Sequence, residues 1–199
     1  MRSLLNIPRL YTLFQSFVRG SRFYEAYIHE YLRPWDGCRI LDIGCGPGDL
    51  LAHLPEGARY VGLDANARYI RNARRKYGQA GEFICHPVKG HQPLAPHAFD
   101  IVVGTGVLHH LDDEEALQFF ELARASLRPG GRLVTVDGCR APGLPLLARV
   151  LLRLDRGPHI RDHDGYRNLA LGAFPGVATS LRRDMFAFPY CCLVMECQG

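Results

Sequence analysis

From Cys38 to Gly138, short aliphatic runs alternate with longer stretches of helical periodicity, and this alternation constrains the fold more than any other feature of the chain. "CRILDIG", "ARYVGLD", "GEFIC", "FDIVVGT" and "RLVTVDG" read as five strands. "FDIVVGT" is apolar at both odd and even positions, the mark of a strand covered on both faces. Alternating strands and helices build a parallel sheet with right-handed crossovers. Towards the C-terminus "VATSLRRDMF" and "YCCLVMEC" are two more strands, separated only by Ala187 to Pro189, and so short a link reverses the last strand. The expected fold is α/β: a three-layer sandwich around a mostly parallel seven-stranded sheet whose last strand is antiparallel.

The helices carry their own punctuation. One spans about Gly48 to Leu54. Asn66 caps a second, with Ile70, Ala73 and Tyr77 on one face and Gly78 as its stop. Asp112 and Glu115 form a capping box for a third, lined by Leu117, Phe120 and Leu127 and stopped by "RPGG"; a fourth runs from about Tyr166 to Phe174. Residues 3–33 hold Leu, Ile, Phe and Tyr at helical spacing, which predicts an N-terminal helical cap over 1–35 ahead of a core over 36–199. The least regular part, about 139–164, is an insertion into that core. A chain of 199 residues, 47% hydrophobic, suits one core with an appendage better than two small domains.

Composition excludes several classes. The net charge of +4 comes from interspersed charges, which argues against a nucleic-acid groove. Seven cysteines without a C-x-x-C pair read as a reduced, cytoplasmic chain with no zinc site. No apolar run reaches the roughly 18 residues of a membrane span. The start, "MRSLLNIPRLYTLF", is interrupted by Asn6, Pro8 and Arg9 and does not read as a secretory signal. Arg2, Arg9, Arg19 and Arg22 all precede the first acid, Glu25, which leaves an organelle transit peptide as the alternative.

"LDIGCGPGDL" places Gly44, Gly46 and Gly48 at every second position on the turn after the first strand. In an open parallel sheet this turn lies at the carboxyl edge, where ligands bind, and its glycines let a ligand approach the backbone. Asp64 ends the next strand, where an acid accepts hydrogen bonds from ribose hydroxyls. Asp42 stands two residues before the first glycine; it would repel a pyrophosphate and attract an ammonium or sulfonium. A nucleoside that carries positive charge is therefore the better ligand.

With "LDIGCGPG", "VGLD", "FDIVVGTGVLHHL" and "LRPGGRLVTVD" in this order, the chain resembles the Rossmann-like class I S-adenosylmethionine-dependent methyltransferases, strongly over about 36–138. The resemblance implies S-adenosyl-L-methionine as cofactor. It implies that Gly44, Cys45, Gly46 and Gly48 form the loop beneath it, with Cys45 a small filler, and that Asp42 steers the methionine ammonium. Asp64 would bind the ribose, Ala65 would lie against the adenine, and Gly104 would end the fourth strand beside the cofactor. Family members usually carry an Asp after the third strand for the adenine amino group; Pro87 stands there, which moves the task to the backbone of Val88 or to His86.

The reaction implied is methyl transfer to a small molecule, most readily to a hydroxyl whose proton a base removes. "GVLHHLDDEE" puts His109 and His110 at the ligand edge, and an imidazole is suited to that proton at neutral pH. Some O-methyltransferases resemble this chain in having a His pair here and an acid ending the fifth strand, here Asp137. The expected roles are His110 as base, His109 orienting it, and Asp137 polarising an imidazole or the acceptor. Arg156, His159 and Arg161 in "DRGPHIRDHDGY" are candidate substrate contacts, and no metal is expected there. Leu144, Leu147, Leu151 and Leu154 form a helical stripe that would meet Leu10, Leu13, Phe14 and Phe17 and roof a pocket for a hydrophobic or amphiphilic acceptor. Contact of this basic, leucine-rich helix with a membrane surface is the weaker alternative. The competing functions are a cofactor-binding module without turnover, and a nucleic-acid methyltransferase, which "GTGVLHH" in place of an N-P-P-Y type motif argues against.

Overall fold

A computed structural model describes residues 21–87, 96–154 and 157–199. Its centre is a seven-stranded sheet: β1 (Arg39–Ile43), β2 (Arg59–Asp64), β3 (Glu82–Cys85), β4 (Phe99–Thr105), β5 (Leu127–Gly138), β6 (Gly176–Arg182) and β7 (Cys192–Gln198). The order across the sheet is β3-β2-β1-β4-β5-β7-β6, so the strand order reverses at β1 and β4. β1 to β5 pair in parallel and β7 runs antiparallel to both β5 and β6, as the sequence predicts.

Alternate residues of each strand feed two cores. Ile40, Tyr60, Phe83, Ile101, Val103, Val134 and Val136 face one layer, while Leu41, Ile43, Leu63, Val102 and Leu133 face the other. The first layer is built from α1 (Ser21–Ala26), which continues as a π-helical turn over Tyr27–Leu32, and from α2 (Ala67–Tyr77). Asn66 caps α2 by accepting from the Arg68 amide. The second layer holds α3 (Asp113–Ser126) and α5 (His163–Leu171). Asp112 and Glu115 make the reciprocal capping box of α3. A further helix, α4 (Leu146–Leu154), lies in the insertion.

Local details depart from the sequence reading. The helix expected over 48–54 is a 3-10 segment, Asp49–His53. α3 buries Ala116, Phe119, Phe120 and Ala123, and Leu117, one position round the helix, is left exposed. "RPGG" does not separate helix from strand. Leu127 already pairs with Phe99, and Arg132 pairs with Ile101, so Arg128 to Gly131 form a bulge inside β5. α5 begins three residues before the expected Tyr166 because Asp162 caps it by accepting from Gly165. α4 buries Ala148 and Leu152, leaving Leu146, Leu147 and Val150 exposed, so its inward stripe is not the Leu147 row. The stripe from Leu10 to Phe17, the partner expected for it, lies outside the described residues.

The N-terminal segment is no loose appendage over its described part. Phe23, Tyr27, Tyr31 and Leu32 are buried in the first core. Tyr27 donates to the Val134 carbonyl at 3.3 Å and accepts from the Thr105 hydroxyl at 3.3 Å, which ties this helix to β4 and β5.

Candidate active site

The three loop glycines all have left-handed backbone, with φ of 77°, 56° and 80° at Gly44, Gly46 and Gly48. Their surroundings separate their tasks. A Cβ on Gly44 would lie 2.3 Å from a Val107 methyl, and one on Gly48 would lie 2.6 Å from the Phe83 ring. These two are glycines because protein fills the space. A Cβ on Gly46 would meet nothing within 4 Å, so Gly46 faces the open side of the loop.

Asp64 ties that loop to β2. Its Oδ2 accepts from the Gly46 amide at 2.9 Å and its Oδ1 from the Asn66 amide at 2.7 Å. Burial raises its pKa above the ordinary carboxylate value, and the two amides oppose the rise. A carboxylate has about four acceptor sites, so two remain for donors on a ligand. Asp42 is buried, and its Oδ2 accepts from the Tyr60 hydroxyl at 2.7 Å. Burial and the adjacent Asp42 charge hold that phenol well above its usual pKa, so it stays a donor. Cys45 is buried against Gly62, and burial followed by Asp42 and Asp64 pushes its thiol far up, in keeping with a filler.

A small cavity beside the loop, about 20 Å³, is lined by Tyr24, Asp42, Gly44, Cys45, Pro47, Asp49, Leu50 and Thr105. Tyr24 also stacks on His53, ring centroids 3.9 Å apart. The sequence reading missed Tyr24, Tyr60 and Thr105. Thr105 had a signal in strand alternation: Gly104 points to the other face, where a Cβ would strike Phe119 at 2.5 Å. Gly104 is thus set by packing, and its neighbour lines the cavity. Ala65 is exposed at the end of β2, its carbonyl 3.7 Å from the Cys85 thiol. The His86 amide donates to the Asp64 carbonyl at 2.9 Å; Val88 lies outside the described residues. The loop residues present fit a cationic nucleoside: a buried acid lines the cavity, a second acid ends β2, and one glycine is open.

Both histidines stand on the 3-10 turn Leu108–His110 after β4. His109 is buried, and its Nδ1 lies 2.7 Å from Asp137 Oδ1, which also accepts from the His109 amide at 3.2 Å. An ionised carboxylate only accepts, so the Nδ1 carries the proton. His110 is exposed, its ring 4.1 Å from that of His109. Val107, against Gly44, joins this turn to the glycine loop. The structure therefore brings His109, His110 and Asp137 together on the same sheet edge as Asp42 and Asp64.

The polar segment after α4 is occupied by its own fold. His163 contacts Asp164 and Thr179, and Arg161 is buried among protein acceptors; Arg156 is outside the described residues.

Residues 40–131 match a family model described as a methyltransferase domain. Those residues are thus a methyltransferase domain, set in the class I, Rossmann-like fold of S-adenosylmethionine-dependent methyltransferases. It is 36% identical over 135 residues to a ubiquinone biosynthesis O-methyltransferase of Chelativorans sp. (strain BNC1), over 64% of this chain and 53% of that protein. The chain thus spans about half the length of the curated relatives it matches. A TehB-like methyltransferase from Corynebacterium glutamicum superimposes with a TM-score of 0.67 at 16% identity, over 98% of this chain and 96% of that one. The methyltransferase SibL does so with a TM-score of 0.72 at 18% identity, over 98% and 61%. At these identities the domain shares their fold.

Proposed function

We propose that the protein methylates a hydroxyl group of a small molecule, using S-adenosyl-L-methionine, with His110 as the base that takes the hydroxyl proton. The observation that carries this reading is the His109–Asp137 pair, 2.7 Å apart and buried, directly beneath the exposed His110 ring. Asp42, Gly46 and Asp64 would hold the cofactor, which when bound supplies a methyl group on a positively charged sulfur. Asp137 fixes the tautomer and orientation of the His109 ring, against which the His110 ring lies. The O-methyltransferase relatives support a hydroxyl acceptor.

The acceptor in this reading is hydrophobic or amphiphilic. Leu146, Leu147 and Val150 stand exposed on α4 beside Arg149 and Arg153, a composition suited to an apolar or membrane-surface contact. Leu152 anchors that helix over Gly138, next to Asp137. The seven free cysteines support a cytoplasmic location. No described helix is long and apolar enough to cross a membrane.

The test is methyl transfer to a panel of hydroxylated aromatic and prenylated compounds, read by mass, with His110→Ala beside the unaltered protein. The variant is expected to lose roughly 10² to 10⁴ in kcat with cofactor affinity nearly intact. Tight cofactor binding with no turnover on any acceptor would leave a binding module. A kcat unchanged in His110→Ala would remove the base.

A further inference from the structure

The 3-10 turn that presents the two imidazoles is short, and the carbonyls at its end need partners from elsewhere. They find them in one segment of the insertion. His159 donates its amide to the His109 carbonyl at 3.0 Å. Arg161 donates from Nη1 to the Leu108 carbonyl at 3.0 Å and from Nη2 to the Leu111 carbonyl at 2.9 Å, which brackets the His pair on both sides. Its remaining donors reach the His159 carbonyl at 3.1 Å and Asp113 Oδ1, from Nε at 3.0 Å and Nη2 at 2.6 Å. A guanidinium has five N–H groups, and these contacts use all five. The Tyr166 ring lies 5.7 Å from the guanidinium carbon. From the same segment the Gly157 backbone presses on His109 so closely that a Cβ there would sit 2.0 Å from the ring.

We infer that Arg161 is a positioning residue for the imidazole pair: its guanidinium holds the 108–111 turn at the angle that seats His109 on Asp137 and presents His110 to the acceptor. Its role as substrate contact, expected from sequence, gives way to this one because every donor is engaged by the protein itself. A lysine could not substitute. Three donors on one nitrogen do not span two carbonyls of the turn, the His159 carbonyl and the Asp113 carboxylate in one plane. The inference rests on the proposed methyl transfer for its catalytic consequence, but the geometry of the turn can be read without turnover.

The experiment compares the full chain with Arg161→Lys and, as a milder change at an exposed partner, Asp113→Asn. A proton on His109 Nδ1 held by a buried carboxylate gives a downfield, exchange-protected proton resonance. In Arg161→Lys this signal is expected to broaden beyond detection. The kcat should fall about tenfold or more, while the KM and calorimetric affinity for S-adenosylmethionine change less than about twofold. Asp113→Asn should weaken the signal and kcat in the same direction, which decides the matter should the lysine variant fail to fold. A folded Arg161→Lys, or failing that a folded Asp113→Asn, with the resonance and kcat of the unaltered protein overturns the inference. If no acceptor is ever methylated, the resonance alone still tests the positioning, so the two failures remain distinct.

Discussion

Alanine at Gly46 and at Gly44 should fail in opposite ways, because the same loop asks different things of the two positions. At Gly46, φ is 56° and the space ahead of the absent side chain is open. The substitution then costs only the left-handed conformation, about 1–2 kcal/mol. That leaves most of a typical stability of about 5–15 kcal/mol, so the protein stays folded. The new methyl nevertheless occupies the space a ligand would use, and cofactor affinity should fall about tenfold or more. At Gly44 the conformational cost is similar, but the methyl would also lie 2.3 Å from Val107. Val107 is β-branched and 9% exposed, so it has little room to rotate away. Overpacking adds about 1–3 kcal/mol, for a total near 2–5 kcal/mol. Urea denaturation gives the stability of each variant, and calorimetric titration with S-adenosylmethionine gives its affinity. Wild-type affinity in a folded Gly46→Ala would refute the assignment of the loop's open side to the ligand, and wild-type stability in Gly44→Ala would refute the packing argument.

Three further outcomes follow from the same geometry. Burial raises the Asp64 pKa in the free protein, so this residue's contribution to stability is present below the ordinary carboxylate value and lost as pH rises through the raised one; hydroxyl donors from a ribose reverse the penalty. Cofactor affinity should therefore increase with pH through that window, a slope that Asp64→Asn abolishes and whose absence in the unaltered protein would remove Asp64 from the ribose site. Of the seven cysteines Cys85 alone is exposed, and burial pushes the thiols of Cys139 and Cys197 up to about 12, so a native-state thiol titration near neutral pH should show one fast group that Cys85→Ser removes. Truncating residues 1–33 strips Phe23, Tyr27 and Leu32 from the first core; at about 2–5 kcal/mol for each, the remainder should show no cooperative thermal transition.

The strands were legible because two-sided burial leaves an unambiguous record: "FDIVVGT" is β4, residue for residue. The helix caps were legible too, since Asn66 and Asp112 act on amides two or three residues away. What misled was punctuation whose meaning depends on tertiary pairing. Pro129, Gly130 and Gly131 read as a gap between elements, yet the Phe99–Leu127 pair places them inside a strand. The leucines of α4 misled for a related reason. With leucine at most of its nine positions the sequence does not select a face, and Leu152 over Gly138 decides it.

At the site, sequence supplied the acids and the histidines but not their connections. Asp42, Asp64 and the glycines follow from strand ends and turn geometry, which are local. Tyr60 on Asp42 and Arg161 on the histidine turn arise between segments 18 and about 50 residues apart, through contacts that impose no spacing a reader could find. The three glycines show the same limit in a smaller compass: equal in sequence, they separate only when Val107 and Phe83 are seen to fill the space at two of them. Val107 is also where the halves of the site meet, because it starts the turn that Arg161 clamps and abuts the loop that Asp64 holds. Val107 fills the space in front of Gly44, so the histidine turn and the glycine loop pack directly on one another. Because Asp64 holds Gly46 by its own hydrogen bond, loosening the turn in Arg161→Lys should lower kcat while leaving S-adenosylmethionine affinity within about twofold.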